Sequence, residues 1–472
     1  MNYLKMAWRN LWRNKRRTAI TTASILFAVF FALFMRSFQL GFYAHMIKNA
    51  IENFSGFLQV QNVDYQDDSS LENTFECTDS MLNSIADIEG IKAVVPRMET
   101  FALASSGNQT KGALISGIDP EKEKNLSNPE NFLVRYRVTL PVVKALQNSN
   151  ELPEKIKEKL NMISNKSYTN LGTMAMDMEI DEAENKDYLE VIGKASAIPG
   201  NYLREDDDGV LVSDRLAKYL KIFIGDTLIL LGQGYHGATA AGLYPVRGIV
   251  KIPSPELDNK LIYMTLPVAQ AFGGLGDRVT TLAINLDNNS EKNMLAYQNL
   301  LNKKIADPKI VVKNWMEYNK VLKQQIEGDN QSGQAFMALL YFIIFFGIFG
   351  TVLMMIHERY RELGVLVAIG MRKTKLAITF IYEMFLMGIL GVAAGTILCL
   401  PFLYFFHVNP IHLTGDLAQT MEDMGFEPVM PLAWIKMYVL WQGLIVAFMV
   451  VLSCLYPLRK VLKLKEIEAL RA

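Results

Sequence analysis

Apolar residues along this chain are gathered into four blocks, and elsewhere they alternate with polar ones. Residues 18–35, 330–356, 384–404 and 437–458 contain no Asp, Glu, Lys or Arg. About 20 apolar residues of helix cross the hydrocarbon layer of a membrane, so each block predicts a span. The third is expected to begin near Leu376, which puts Glu383 in or just below the headgroup layer. Between the first two blocks the pattern changes repeatedly between periods of two and 3.6. FLQVQNV alternates as a strand, and MLNSIADIEGIKAVVPRM reads as a helix, a stop at Gly90 and a strand. GVLVSDRLAKYLKIFIGDTLILLGQ gives a strand, a helix capped by Ser213 or Asp214, a turn at Gly225 and Asp226, and a second strand. YPVRGIVKI, NKLIYMTL and VTTLAINL follow as strands, SEKNMLAYQNLLNKKI as an amphipathic helix and KIVVKNW as a last strand. Residues 120–200 differ: they are rich in Lys, Glu and Asn, with acidic residues crowded between Asp177 and Glu190, and read as an inserted lobe. The expected fold is an α-helical membrane protein with four transmembrane helices plus a large α+β extracytoplasmic domain inserted between helices 1 and 2.

Helical periodicity continues beyond the spans over 37–54 and 315–328, predicting a stalk that carries the outer domain. The chain then divides into an N-terminal helix (1–17), span one with its stalk (18–54), the outer domain (55–314), stalk and span two (315–356), a loop helix (357–375), span three (376–405), an outer loop (406–434), span four (435–458) and a tail (459–472).

Charge orients this arrangement. Lys+Arg and Asp+Glu both number 48, yet they are unevenly placed. Lys5, Arg9, Arg13, Lys15, Arg16 and Arg17 precede span one with no acidic residue among them, and the 357–375 loop and the tail are also basic. Residues 48–330 hold 39 acidic against 30 basic side chains. Positive charge collects on the cytosolic side, so both termini are expected inside and the large domain outside. The first apolar run has a basic leader but no small-residue cleavage site, and reads as an uncleaved anchor. Of the three cysteines, Cys399 and Cys454 fall in spans and Cys77 stands alone outside, so no disulfide framework is expected there.

Several local patterns carry modest expectations. Trp8 and Trp12, four apart beside Arg9 and Arg13, form one face of a helix suited to the inner headgroup layer, an interfacial anchor rather than a ligand site. Gly388, Gly391 and Gly395 include a GxxxG spacing for close helix packing, within or between subunits. Arg36 ends span one and is expected to snorkel outward. The five histidines form no metal-spaced set, and Asp206 to Asp208 reads as a solvated turn. There is no GxxxxGK[ST] phosphate cradle, no GxSxG elbow and no HExxH pair. Nothing points to nucleic acid. With Glu383 the only ionisable residue in the spans, a conduit for hydrophilic solutes is not expected.

The loop HERYRELGVLVAIGMRKTK mixes basic, acidic and apolar residues, with Leu363, Val367 and Ile369 able to face one way and Arg361, Glu362 and Arg372 another. On periodicity alone it is a surface-lying connector. Its residues Glu358, Arg359, Tyr360, Arg361, Glu362, Leu363, Gly364 and Val365, then Ala368, Ile369, Gly370, Met371 and Arg372, resemble the ERxREIGxxxAIGAxR signature of ABC permeases related to MacB, FtsX and the lipoprotein-releasing Lol permeases. The tail from Tyr456 through Arg459 to Leu464, Ile467, Glu468, Ala469 and Leu470 resembles that family's YPAxRAxxLxPIEALR ending, and Ala7 to Arg17 its leader. Glu466 stands where the family usually has Pro, and Met371 where it has Ala.

The resemblance implies a coupling helix (Glu358 to Arg372) seated in a groove of a cytosolic ATPase, with Gly364, Ala368 and Gly370 permitting close approach, and a tail (Arg459, Leu464, Ile467, Glu468, Ala469, Leu470) making a further cytosolic contact. It implies a bacterial inner membrane, a second permease subunit, identical or related, and no cofactor in this chain, ATP and Mg being bound by the ATPase. Lipoprotein release, served by a periplasmic lipoprotein carrier, is the first expectation. Export with a periplasmic adaptor and regulation of a cell-wall hydrolase are the others, with a membrane-anchored enzyme as the outlying alternative.

Overall fold

A computed structural model describes residues 3–13, 15–423, 426–434 and 438–463. The chain forms two compact units. One comprises Met1–His45, Gln324–His412 and Val429–Ala472; the other comprises Met46–Lys323 and Leu413–Pro428.

The first unit is helical. Among the described residues four helices are long and apolar enough to cross a membrane, lying within Thr18–Ser55, Lys320–Glu358, Lys373–Val408 and Leu440–Leu462. Their contact is made by Ile25, Val29 and Leu33 from the first, Ile348 and Val352 from the second, Met384 and Met387 from the third, and Val446 and Val450 from the fourth, all buried. Glycine sets how near the first and third helices come. A Cβ on Gly391 would lie 2.6 Å from the Cβ of Ile25, and one on Gly395 would lie 2.8 Å from the Leu26 carbonyl oxygen. A Cβ on Gly388 would lie 3.4 Å from Val450 Cγ2 of the fourth helix, an ordinary contact. The GxxxG spacing therefore packs inside one chain, the choice that spacing left open. Arg36 does not extend into solvent as expected. It is half-buried and donates to Gln39 Oε1 and Asn330 Oδ1, each at 2.8 Å, because Gln39 on its own helix and Asn330 on the second place amide oxygens within its reach. Tyr43 donates to Asp329 Oδ2 at 2.6 Å two turns further along.

The second unit is built on a nine-stranded sheet that closes on itself. Ile91–Ser106, Gln109–Ile118, Leu261–Thr265, Val210–Ser213, Thr239–Val250 and Thr227–Gln233 pair in that order, and the last returns to pair with residues 102–105 of the first. A ring of six strands has no free edge. Alternate residues fill it, among them Met98, Ala102, Ala104, Ile115, Val212, Leu228, Leu230 and Ile262. The long first strand also pairs through its N-terminal half with Thr281–Leu286, which extends the sheet to Leu58–Asn62 and Ile310–Asn314. The helix Glu291–Ile305 closes that last edge: Asn302 Oδ1 accepts from Val312 N at 2.8 Å, and Gln298 Nε2 donates to Val312 O at 2.9 Å.

The helix Asp214–Leu220 follows its strand as the pattern predicts, but neither Ser213 nor Asp214 caps it. The cap is Asp258, whose carboxylate accepts from Asp214 N (3.2 Å), Arg215 N (3.3 Å) and Ile252 N (2.9 Å). Sequence distance hides such a cap, since the donor and acceptor lie more than forty residues apart. Burial first, and the nearby Asp214 carboxylate second, push the Asp258 pKa up to about 7 against the pull of those three N–H groups.

Within residues 120–200, a core of Val138, Val143, Leu146, Leu160, Tyr168 and Ile192 belongs to that stretch alone. Glu123 instead is buried against Arg97 of the main sheet, with Arg97 Nε at 3.2 Å. The expected solvated turn at Asp206 to Asp208 is tied down: Arg247 reaches Asp207 and Asp208 at 2.8 Å each. Two expected helices end differently from the pattern. Residues 48–55 continue the first span's helix as a π-helix. The 315–328 segment is broken at Asn319 (φ −108°, ψ 65°), between Trp315–Tyr318 and Lys320–Glu358.

Candidate functional site

The charged loop joining the second and third membrane helices makes two corners. Lys320–Glu358 ends where Arg359 leaves helical geometry (φ −96°, ψ 3°), and a nine-residue helix, Tyr360–Ala368, follows. Gly370 turns the chain at φ +102°, a conformation that side chains with a Cβ seldom adopt. Arg372 is extended, and the third membrane helix starts at Lys373, three residues before the expected Leu376.

The short helix has a distinct inside and outside. Leu363, Gly364 and Val367 face inward, Gly364 and Val367 being buried. Glu358, Arg361, Glu362, Val365, Ala368, Gly370 and Arg372 are exposed, and Ile369 is 79% exposed. Two expectations are corrected here. Ile369 does not share a face with Leu363 and Val367, because the helix ends at Ala368 and the next residue no longer follows its periodicity. Gly364 is packed within this chain, so of the three small residues only Ala368 and Gly370 are open to an approaching surface.

Arg359, read from the motif as a contact residue, is turned inward. Its Nη1 lies 2.9 Å from Glu383 Oε2, with the two side chains only 12% and 3% exposed, and Nη2 donates to the Asn10 carbonyl at 3.4 Å. Glu383, expected at the headgroup layer, is thus a buried acid on the third helix. Removing two charges from water costs several kcal/mol for each ion unless they meet with good geometry. That cost fixes the pairing, and through Arg359 the corner of the loop is tied to the third and N-terminal helices together. An acidic residue in an otherwise apolar run was the available signal. The sequence did not show which cation answers it.

The N-terminal helix Tyr3–Arg13 buries Ala7 and Leu11, leaving Trp8 and Trp12 exposed and in edge-to-face contact at 6.0 Å, with Arg9 beside them. Arg13 Nη2 meets Glu362 Oε2 at 2.5 Å, both side chains 58% exposed. A pair that open to solvent contributes about 0–1 kcal/mol, so it aligns the surface more than it holds it. On the fourth helix Arg459 is exposed, and Lys460 Nζ stands 6.0 Å from the Tyr360 ring. Leu464, Ile467, Glu468, Ala469 and Leu470 lie outside the described residues.

Among the described residues no group of three His, Cys, Asp or Glu could hold a metal. A cleft of about 770 Å³ is lined by Cys77, Asp79, Asp119, Lys122 and Arg278. Burial pushes the Cys77 thiol up to about 11, so at neutral pH it is protonated and a poor nucleophile.

Residues 335–465 match the family described as FtsX-like permease C-terminal. No curated protein matches the chain. Among solved structures, the periplasmic region of MacB from Actinobacillus actinomycetemcomitans is 12% identical, with a TM-score of 0.30 over 57% of this chain and 92% of that one. The extracellular domain of the noncanonic ABC-type transporter YknZ from Gram-positive bacteria is 10% identical, with a TM-score of 0.27 over 54% of this chain and 99% of that one.

Proposed function

We propose, on the match of residues 335–465 to the FtsX-like permease family, that the chain is the membrane subunit of an ABC transporter driven by a separate cytosolic ATPase. One observation carries the reading. A nine-residue helix between two membrane helices is anchored from inside by Arg359 and Glu383 and presents Arg361, Glu362, Val365, Ala368 and Ile369 outward. A large apolar side chain left 79% exposed beside a glycine corner is suited to a pocket on a partner. With no phosphate cradle in the sequence, nucleotide falls to that partner. ATP binding there would move the loop helix, and the membrane helices would carry the motion to the outer domain.

The orientation follows the charge distribution: termini and loop helix in the cytosol, the α+β domain outside the inner membrane. The charged side chains found among the spans are engaged, Arg36 with Gln39 and Asn330 and Glu383 with Arg359, which supports work done outside the membrane over passage of a hydrophilic solute through it. For the cargo we take lipid-modified proteins destined for release from the outer leaflet, because the arrangement resembles that of the Lol permeases; export of a small molecule or peptide with a periplasmic adaptor is the alternative. Two copies, or this chain and a relative, would complete the assembly.

The test is Ile369→Asp in the full chain, co-expressed with the ATPase encoded nearest to it. Loss of co-purification with an unchanged melting temperature is expected. Undiminished complex formation with Ile369→Asp and with Ala368→Asp would remove the loop helix as the docking element. On depletion, mature lipoproteins should accumulate in the inner membrane; a cell-chaining defect without that accumulation would favour control of a wall hydrolase.

A further inference from the structure

Inside the outer domain, the chain arriving from the first membrane helix and the chain leaving for the second are fastened to each other. The arriving chain ends in the π-helix Lys48–Ser55, held in its wide register by two bonds spanning five residues: Gly56 N to Ile51 O at 2.7 Å and Ser55 Oγ to Ala50 O at 2.9 Å. A π-helix is rare and is found mostly at functional positions, because its geometry must be maintained from outside. Three neighbours supply that support. Asn285 Nδ2 donates to the Glu52 carbonyl at 3.1 Å, the Arg97 guanidinium lies 5.1 Å from the Phe54 ring, and Gln59 Nε2 donates to the Ser55 carbonyl at 2.9 Å. Gly56 then turns at φ +78°, where a Cβ would come within 2.9 Å of Ile284 N.

The departing chain meets this point through Tyr318. Its hydroxyl donates to the Gly56 carbonyl and lies 3.0 Å from Ser55 Oγ. Trp315 N donates to the Phe57 carbonyl at 3.0 Å, and Gln66 Nε2 to the Tyr318 carbonyl at 3.0 Å. A capping box of Asn314 and Glu317 fixes the short helix that carries Tyr318. One residue later, Lys320–Glu358 begins.

We propose that Tyr318 is a positioning residue for coupling: it clasps the π-helical end of the first membrane helix to the start of the second, so that the outer domain is moved by the two as one strut. The proposal rests on the function proposed above. Tyr318 bonds Ser55, the last residue of the π-helix, and the Gly56 corner, where a helix pulled alone would otherwise slip by a residue into α-helical register.

Two measurements on the full chain test this. In the permease without ATPase, Tyr318→Phe removes the donated bond and keeps the ring. Amide hydrogen exchange between residues 51 and 57 should rise about five-fold, the effect of losing roughly 1 kcal/mol of hydrogen bond. Ser55→Ala should act in the same direction, and the double variant should be less than additive. In the complex, exchange is compared with and without ATP. Wild type should show an ATP-dependent change in the outer domain that Tyr318→Phe loses, while assembly and ATP hydrolysis stay within two-fold. A Tyr318→Phe complex that responds like wild type would overturn the clasp alone. A wild-type complex without any ATP-dependent change would overturn the coupling function and the transmitting role together.

Discussion

Arg359 and Glu383 face each other at 2.9 Å, the one at the corner that opens the loop helix and the other on the third membrane helix. The sequence places them 24 residues apart, in a polar loop and an apolar run. Their pairing converts a surface motif residue into an internal anchor, and divides the motif into side chains that hold the loop and side chains that it presents.

Breaking this pair from one side should be costly. Glu383→Ala leaves a guanidinium that is 12% exposed without its anion, and Arg359→Ala leaves the converse; each is expected to cost about 3–5 kcal/mol. Arg359→Met with Glu383→Leu should regain most of that. Melting of wild type, Arg359→Met, Glu383→Leu and the double variant in detergent gives the double-mutant cycle, and additive losses would mean the two charges act separately. By contrast, Arg13→Ala, which opens the exposed pair with Glu362, should cost under about 1 kcal/mol.

Gly391 sets the spacing of the first and third membrane helices. Gly391→Ala puts a methyl 2.6 Å from the Cβ of Ile25 and is expected to destabilise by about 1–3 kcal/mol, the range for overpacking. Ile25→Ala in the same chain should relieve part of the loss. If the double variant melts lower than Gly391→Ala alone, the contact is not where the strain arises.

Asp258 gives the outer domain a pH dependence of definite sign. Its folded pKa of about 7 stands above the ordinary carboxylate value. The folded state therefore holds a proton that the unfolded chain releases. The stabilisation is fully present below about pH 4 and is lost as pH rises through about 7. Thermal unfolding of the full chain should show the transition of the second unit about 2–8 °C higher at pH 5 than at pH 8, taking a shift of order 1–2 kcal/mol. Asp258→Asn should flatten that difference, although it also weakens the cap on Asp214–Leu220. A wild-type transition that rises with pH across this window would contradict the assignment.

Trp8 and Trp12 stand exposed on the side of the N-terminal helix away from buried Ala7 and Leu11. In vesicles their emission is expected to be quenched by lipids brominated near the headgroup and hardly at all by those brominated at the chain ends. Variants in which Trp8 or Trp12 is the sole tryptophan, with Trp315, Trp434 and Trp441 replaced by Phe, give the measurement for each position. Quenching by aqueous iodide instead would place the helix off the membrane.

Hydrophobic blocks long enough to span a membrane, the strand and helix runs of the outer domain, and the interruption of its pattern after residue 120 were all legible in order along the chain. Those features are local: a span depends on the composition of some twenty consecutive residues, and an amphipathic element on its own period. The loop motif was legible for the same reason. What it could not reveal is direction, since nine helical residues offer several ways to face, and only packing turned Leu363 and Gly364 inward and left Ile369 bare.

Everything that joins distant residues was decided by tertiary structure. The strand Ile91–Ser106 has partners on one side that change along its length, so closure of the ring through residues 102–105 depends on a strand more than a hundred residues away. Asp258 caps a helix that begins forty-odd residues before it, and Tyr318 answers Ser55 across the whole outer domain. Local preference is written in neighbours along the chain, whereas buried polar groups take whatever partner the fold brings within hydrogen-bond reach, because leaving them unpaired costs more than ordering the partner.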